Sequence, residues 1–116
     1  SKKCWVAGFS FGAWVAMQLL MRRPEINGFV CVSPPANIRD FSFLAPCPSS
    51  GLIIHGEKDN IASYDSAKIL SEKLQKQKKV DIVFRPIKGA DHFYENYKKE
   101  FSSIVNSYIE NKLLEK

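Results

Sequence analysis

The sequence predicts an α/β fold, an open and mostly parallel sheet of about four strands with flanking helices. Two observations carry that prediction. Apolar, β-prone runs alternate along the chain with segments whose apolar residues recur at helical spacing, the pattern of βαβ units joined by right-handed crossovers. Within the runs the apolar residues are consecutive rather than alternating, which predicts strands covered on both faces, as in a parallel sheet.

The first run is residues 3–7 (KCWVA). It ends in Gly8-Phe9-Ser10-Phe11-Gly12 and passes at once into AWVAMQLLMRR, a stretch of helix formers that is apolar on nearly all faces and therefore reads as a buried helix. Arg22 and Arg23 suit its last turn, and Pro24 stops it. Residues 28–33 (GFVCVS) form the second strand, closed by Pro34-Pro35. Residues 36–50 are a connection rich in Pro and Ser, with an aromatic cluster at Phe41, Phe43 and Leu44. Residues 51–55 (GLIIH) form the third strand; after a loop at 56–60, Ala67, Leu70 and Leu74 mark a helix. Residues 80–87 form the fourth strand, whose Pro86 suits a strand end or a sheet edge. A last helix carries Tyr97, Phe101, Ile104, Val105, Tyr108 and Ile109 on one stripe.

The 116 residues make one domain, residues 1–116, with the 45% hydrophobic and 25% charged content of an ordinary globular protein. The net charge of +5 comes mostly from lysines in the helical stretches 68–79 and 98–116, where lysine forms the solvated face of a helix; nucleic-acid binding is not expected. Ser1-Lys2-Lys3 runs into apolar residues without a cleavage site, so no leader is expected. The apolar stretch from Cys4 to Met21 is interrupted by Gly8, Ser10, Gly12 and Gln18, a poor membrane span. Cys4, Cys31 and Cys47 have no C-x-x-C spacing, which predicts neither a disulfide scaffold nor a zinc knuckle, and makes the cytoplasm the expected compartment.

The chemistry-bearing residues lie at the ends of the predicted strands. Gly8-Phe9-Ser10-Phe11-Gly12 matches G-x-S-x-G and sits between a strand and a helix, where a nucleophile elbow must be. Such a turn is tight enough to require Gly8 and Gly12 at its flanks, and it lifts the Ser10 hydroxyl to the carboxyl end of the sheet. There the backbone N–H of Phe11 and the start of the helix favour negative charge on a substrate oxygen. A serine hydroxyl needs a base. Of the two histidines, His92 follows the fourth strand on a loop that can overhang the turn, whereas His55 ends the third strand and reads as a local shaper of its loop. Asp59, just beyond the third strand, suits the carboxylate that orients His92. Asp91 adjoins His92 and should point away from it; Glu57, Asp40 and Asp65 are weaker candidates. Phe9, Phe11 and the Phe41, Phe43 and Leu44 segment are candidates either for an apolar acyl pocket or for core packing.

GFSFG at the turn, HGEKD in the acid loop and GADHF in the histidine loop resemble the motifs of the α/β-hydrolase superfamily, in particular of compact bacterial members related to dienelactone hydrolases and serine esterases. The likeness spans essentially the whole chain. It implies a partial α/β-hydrolase fold that begins at the elbow strand, with the upstream strands absent, and a serine hydrolase using Ser10, Asp59 and His92 on a small-molecule ester or similar acyl bond. No metal and no organic cofactor is implied. In this family the upstream half normally supplies the second oxyanion N–H, leaving Phe11 as the donor here. The strand edge from Cys4 to Ala7 would then be unpaired, which predicts self-association or pairing with a missing N-terminal half. The alternative is a catalytically silent fragment that serves as an oligomerisation or binding module.

Overall fold

The computed structural model describes residues 4–114, so the Lys3 start of the first predicted strand and the Lys116 end of the lysine-rich stretch lie outside the described residues. Four strands, β1 (Trp5–Phe9), β2 (Gly28–Val32), β3 (Ser50–Gly56) and β4 (Ile82–Ile87), form one all-parallel sheet in sequential order. The register sets Phe9 beside Val32 and His55 beside Pro86. All four chains therefore leave the sheet along the same edge, and that edge carries the candidate site. Pro86 lies on β4, an edge strand of this sheet, as its missing N–H requires.

Consecutive apolar residues in β2 and β3 are explained by helices on both faces. Phe29, Cys31 and Ile53 point to one face and pack with α1 (Phe11–Arg22) through Ala13, Ala16, Met17 and Leu20, and with α2 (Tyr64–Gln75) through Leu70 and Leu74. Val30, Val32, Leu52 and Ile54 point to the other and meet α3 (Lys98–Leu114) through Ile104 and Tyr108. The period-two alternation of a strand thus divides one apolar run between two cores. Ser63 starts α2, its hydroxyl accepting the Ser66 amide at 3.1 Å.

Two expectations need correction. The helix after the elbow is not buried on all faces: α1 seats one stripe on the sheet, while Val15 is 47% exposed and Leu19 41%. Second, the 36–50 connection does not supply the site with aromatic walls. Phe41 is 5% exposed inside the first core beside Leu44, and Phe43 packs against the same core, stacked on Phe41 at 6.2 Å. The short turn Ser42–Leu44 holds them there. Among the described residues no helix is long and apolar enough to cross a membrane, and Cys4, Cys31 and Cys47 are free thiols.

Candidate active site

Ser10 sits between β1 and α1 with φ 57° and ψ −121°, a conformation that costs a non-glycine residue on the order of 1–3 kcal/mol. Backbone hydrogen bonds hold it: its N–H donates to Val32 O at 2.8 Å, and its carbonyl accepts from the Ala13 N–H at 2.9 Å. A serine at the start of a helix ordinarily caps the free amides with its hydroxyl. Ser10 makes no such cap. Its Oγ instead lies 2.9 Å from His92 Nε2. The first amides of α1, Phe11's among them, have no acceptor within the helix and face the same end of the sheet.

The two elbow glycines are not equivalent. A side chain at Gly8 would strike the Gly12 carbonyl oxygen and lie 2.8 Å from Ala13 Cα, so the backbones of β1 and α1 approach too closely for any other residue. A Cβ at Gly12 would meet nothing within 4 Å. The expectation that the tight turn demands glycine on both sides therefore holds at Gly8 only; Gly12 is already in the helix and faces outward.

His92 and Asp59 complete a line with Ser10. His92 is 3% exposed and its Nδ1 lies 2.7 Å from Asp59 Oδ2. A carboxylate only accepts, so Nδ1 carries the proton and Nε2 presents its lone pair to the Ser10 hydroxyl. The Asp59 side chain is fully buried, and its Oδ1 accepts the amides of Ile61 and Ala62, both at 2.8 Å. That carboxylate is aimed by its own loop before His92 binds it. Asp91 points away, accepting the Glu95 amide at 2.9 Å. Asp40 is occupied with the Ser42 amide. The loops of the acid and the base meet at Gly56, where a side chain would collide with the Ala90 carbonyl and lie 2.7 Å from that of Asp91.

His55 has the local role its position predicts. Fully buried, it donates from Nε2 to Ala62 O at 2.7 Å and stands 3.4 Å from Asp59 Oδ2, bracing the acid loop from below; its Nδ1 is buried without a partner. Burial pushes the imidazole pKa down, against the opposing pull of the Ala62 carbonyl and Asp59. The unfolded chain takes up a proton at this residue below about pH 6.5, whereas the folded chain does so only at a lower pH. Stability is therefore expected to fall as the pH drops through that value, by at most about 1.4 kcal/mol per pH unit from this group. Urea unfolding at pH 7.5 and pH 5.0 measures it, and a His55→Asn variant should show a flatter dependence.

Several residues that shape the site carry no sequence signal. Phe93 is exposed beside His92, 5.0 Å between ring centres, and forms a group with Phe9, itself 5.1 Å from the His92 ring. Phe9 thus keeps the place at the site that Phe41 and Phe43 lose. Ser33 and Tyr94, like Ser10, adopt positive φ (52° and 59°), and they hydrogen-bond to each other at 2.7 Å. Among the described residues, no group of three or more His, Cys, Asp or Glu side chains is placed to hold a metal. The arrangement can carry out one operation: draw a proton from Ser10 through an imidazole whose other nitrogen is held by a buried carboxylate.

Residues 1–113 match the family model of the dienelactone hydrolase family. An uncharacterised protein of Rickettsia prowazekii is 51% identical over 108 residues, which cover 90% of this chain and 45% of that protein. The structure of a protein of unknown function from Agrobacterium tumefaciens, provisionally assigned to the α/β hydrolases, superposes with a TM-score of 0.94 at 52% identity over 97% of this chain and 52% of its own. An α/β serine hydrolase without a lid from Xanthomonas campestris superposes at 0.80 with 26% identity, over 99% and 50%. The chain spans about half the length of the relatives it matches.

Proposed function

The chain belongs to the dienelactone hydrolase family, and from that membership and the site's geometry we propose that it is the triad-bearing half of a serine hydrolase acting on small acyl esters. The observation that carries the reading is the unbroken line from Ser10 Oγ through His92 to Asp59, at 2.9 Å and 2.7 Å. Ser10 Oγ attacks the carbonyl carbon while its proton passes to His92 Nε2. His92 returns that proton to the departing alcohol as the acyl–oxygen bond breaks. Water, deprotonated in turn by His92, releases the acid from the acyl-serine. Asp59 stays ionised and stabilises the imidazolium. The Phe11 amide, at the start of α1, is the donor assigned to the developing oxyanion. Hydrolysis of a p-nitrophenyl acetate series by this chain tests the reading. Turnover is expected to be lost in His92→Ala. A rate unaffected by that change would overturn it.

The same proposal includes a partner for β1. This edge strand is half-buried, and Trp5, Val6 and Ala7 line an apolar groove of about 240 Å³ with Ile109 and Leu113. It is an apolar edge of the kind that invites pairing. A strand from the remaining half of a longer protein would cover it, in keeping with relatives about twice this length. The chain on its own is then expected to self-associate with rising concentration in light scattering, and a monodisperse monomer would contradict this. A folded chain that self-associates but turns over no ester would favour the silent module.

A further inference from the structure

The pair formed by Ser33 and Tyr94 has no part in the chemistry above, yet Tyr94 lies two residues from His92 and Ser33 follows Val32, whose carbonyl anchors Ser10. Resting on the triad reading, we propose that Ser33 and Tyr94 are positioning residues: their hydroxyl–hydroxyl hydrogen bond clamps the base loop to the end of β2 and sets His92 at bonding distance from Ser10.

The clamp closes a circuit. Ser10 N–H donates to Val32 O at 2.8 Å; Ser33 follows in sequence; Ser33 Oγ meets the Tyr94 hydroxyl at 2.7 Å; the Tyr94 N–H reaches Asp91 O at 3.4 Å; His92 follows and returns to Ser10 Oγ at 2.9 Å. Opening the clamp removes the one link in this ring that crosses from the base loop to β2. Apart from His92 Nε2 to Ser10 Oγ itself and the Tyr94 hydroxyl to Ile54 O, the loop's hydrogen bonds to its surroundings reach the β3 and β4 ends: Lys58 N–H to Ala90 O, Ala90 N–H to Ile87 O, and His92 to Asp59. They fix the base to the acid and leave its distance to the nucleophile to the clamp.

The Tyr94 hydroxyl also reaches Ile54 O at 3.3 Å, and Ile54 O takes the Ser33 N–H at 2.8 Å. Both side chains are buried, and the Tyr94 ring packs on Phe101 of α3 at 4.9 Å. Burial pushes the phenol pKa up, so the donor stays protonated across the neutral range. Ser33 and Tyr94 each hold positive φ, as Ser10 does, and such conformations gather where the surrounding structure enforces a working geometry.

Tyr94→Phe keeps the ring and removes the bond together with that to Ile54 O; Ser33→Ala removes it from the other side and leaves the Ile54 bond in place. Each is expected to lower kcat/KM for ester hydrolysis, and the rate of fluorophosphonate labelling, by about 10- to 100-fold, chiefly in kcat, with the double variant no slower than the slower single one. The far-downfield proton NMR signal of His92 Nδ1–H, visible whether or not the chain turns over, should broaden or vanish in both. Labelling within twofold of wild type, or additive losses with an unchanged His92 signal, would overturn the clamp. If the wild-type chain neither hydrolyses nor labels, the triad reading fails and the NMR comparison alone decides: loss of the signal in Tyr94→Phe supports the clamp, persistence overturns it, and absence from wild type overturns both.

Discussion

Ser10→Ala is expected to lower ester turnover by on the order of 10⁴-fold or more while leaving the fold in place. Among the described residues no other hydroxyl bonds His92 Nε2, so removal of this one leaves only binding and the helix-start amides to act on a substrate. A serine-to-alanine change at a helix start usually costs about 1 kcal/mol, because the cap is lost. Here Ser10 makes no cap bond, and alanine keeps the Cβ at the same strained φ. Loss of activity with a thermal midpoint near that of wild type is therefore the signature of chemistry at this residue. An inactive variant that is also strongly destabilised would assign Ser10 a structural role instead.

The second large effect is expected at Asp59. Asp59→Asn should cost about 10³–10⁴ in kcat, because an amide can present an N–H to His92 Nδ1 and reverse the tautomer that leaves Nε2 free to accept. The two backbone amides held by Oδ1 can still be satisfied by the asparagine oxygen, so the acid loop should keep its shape. Asp91→Asn is the internal control. Its carboxylate serves the Glu95 amide and not His92, and activity within a few-fold of wild type is expected. The reverse ranking, measured as kcat for the two variants, would reassign the acid.

The line of Ser10, His92 and Asp59 is legible in the sequence because topology does most of the work. Each residue follows a different apolar run, parallel strands leave the sheet along one edge, and residues just past those ends must come near one another. The sheet is legible for a related reason: the consecutive apolar residues of β2 and β3 have to serve two cores. What escapes is whatever depends on contacts between distant loops. Ser33 reads as the last residue of a strand and Tyr94 as a loop aromatic; their bond joins positions 61 apart, and no periodicity records it. Phe41 and Phe43 look the same in sequence whether they line a site or a core, and only the fold of residues 36–50 decides for the core. The glycines divide in the same way, because a G-x-S-x-G pattern cannot show that Gly8 faces the backbone of α1 while Gly12 faces open space.

Ester hydrolysis as proposed requires Ser10 to be a nucleophile that His92 activates. Treating the folded chain with a fluorophosphonate and locating the adduct by peptide mass spectrometry tests this directly. One adduct per chain is predicted, on Ser10, and none in His92→Ala. A folded chain that takes up no probe, or carries it on another residue, would contradict the account.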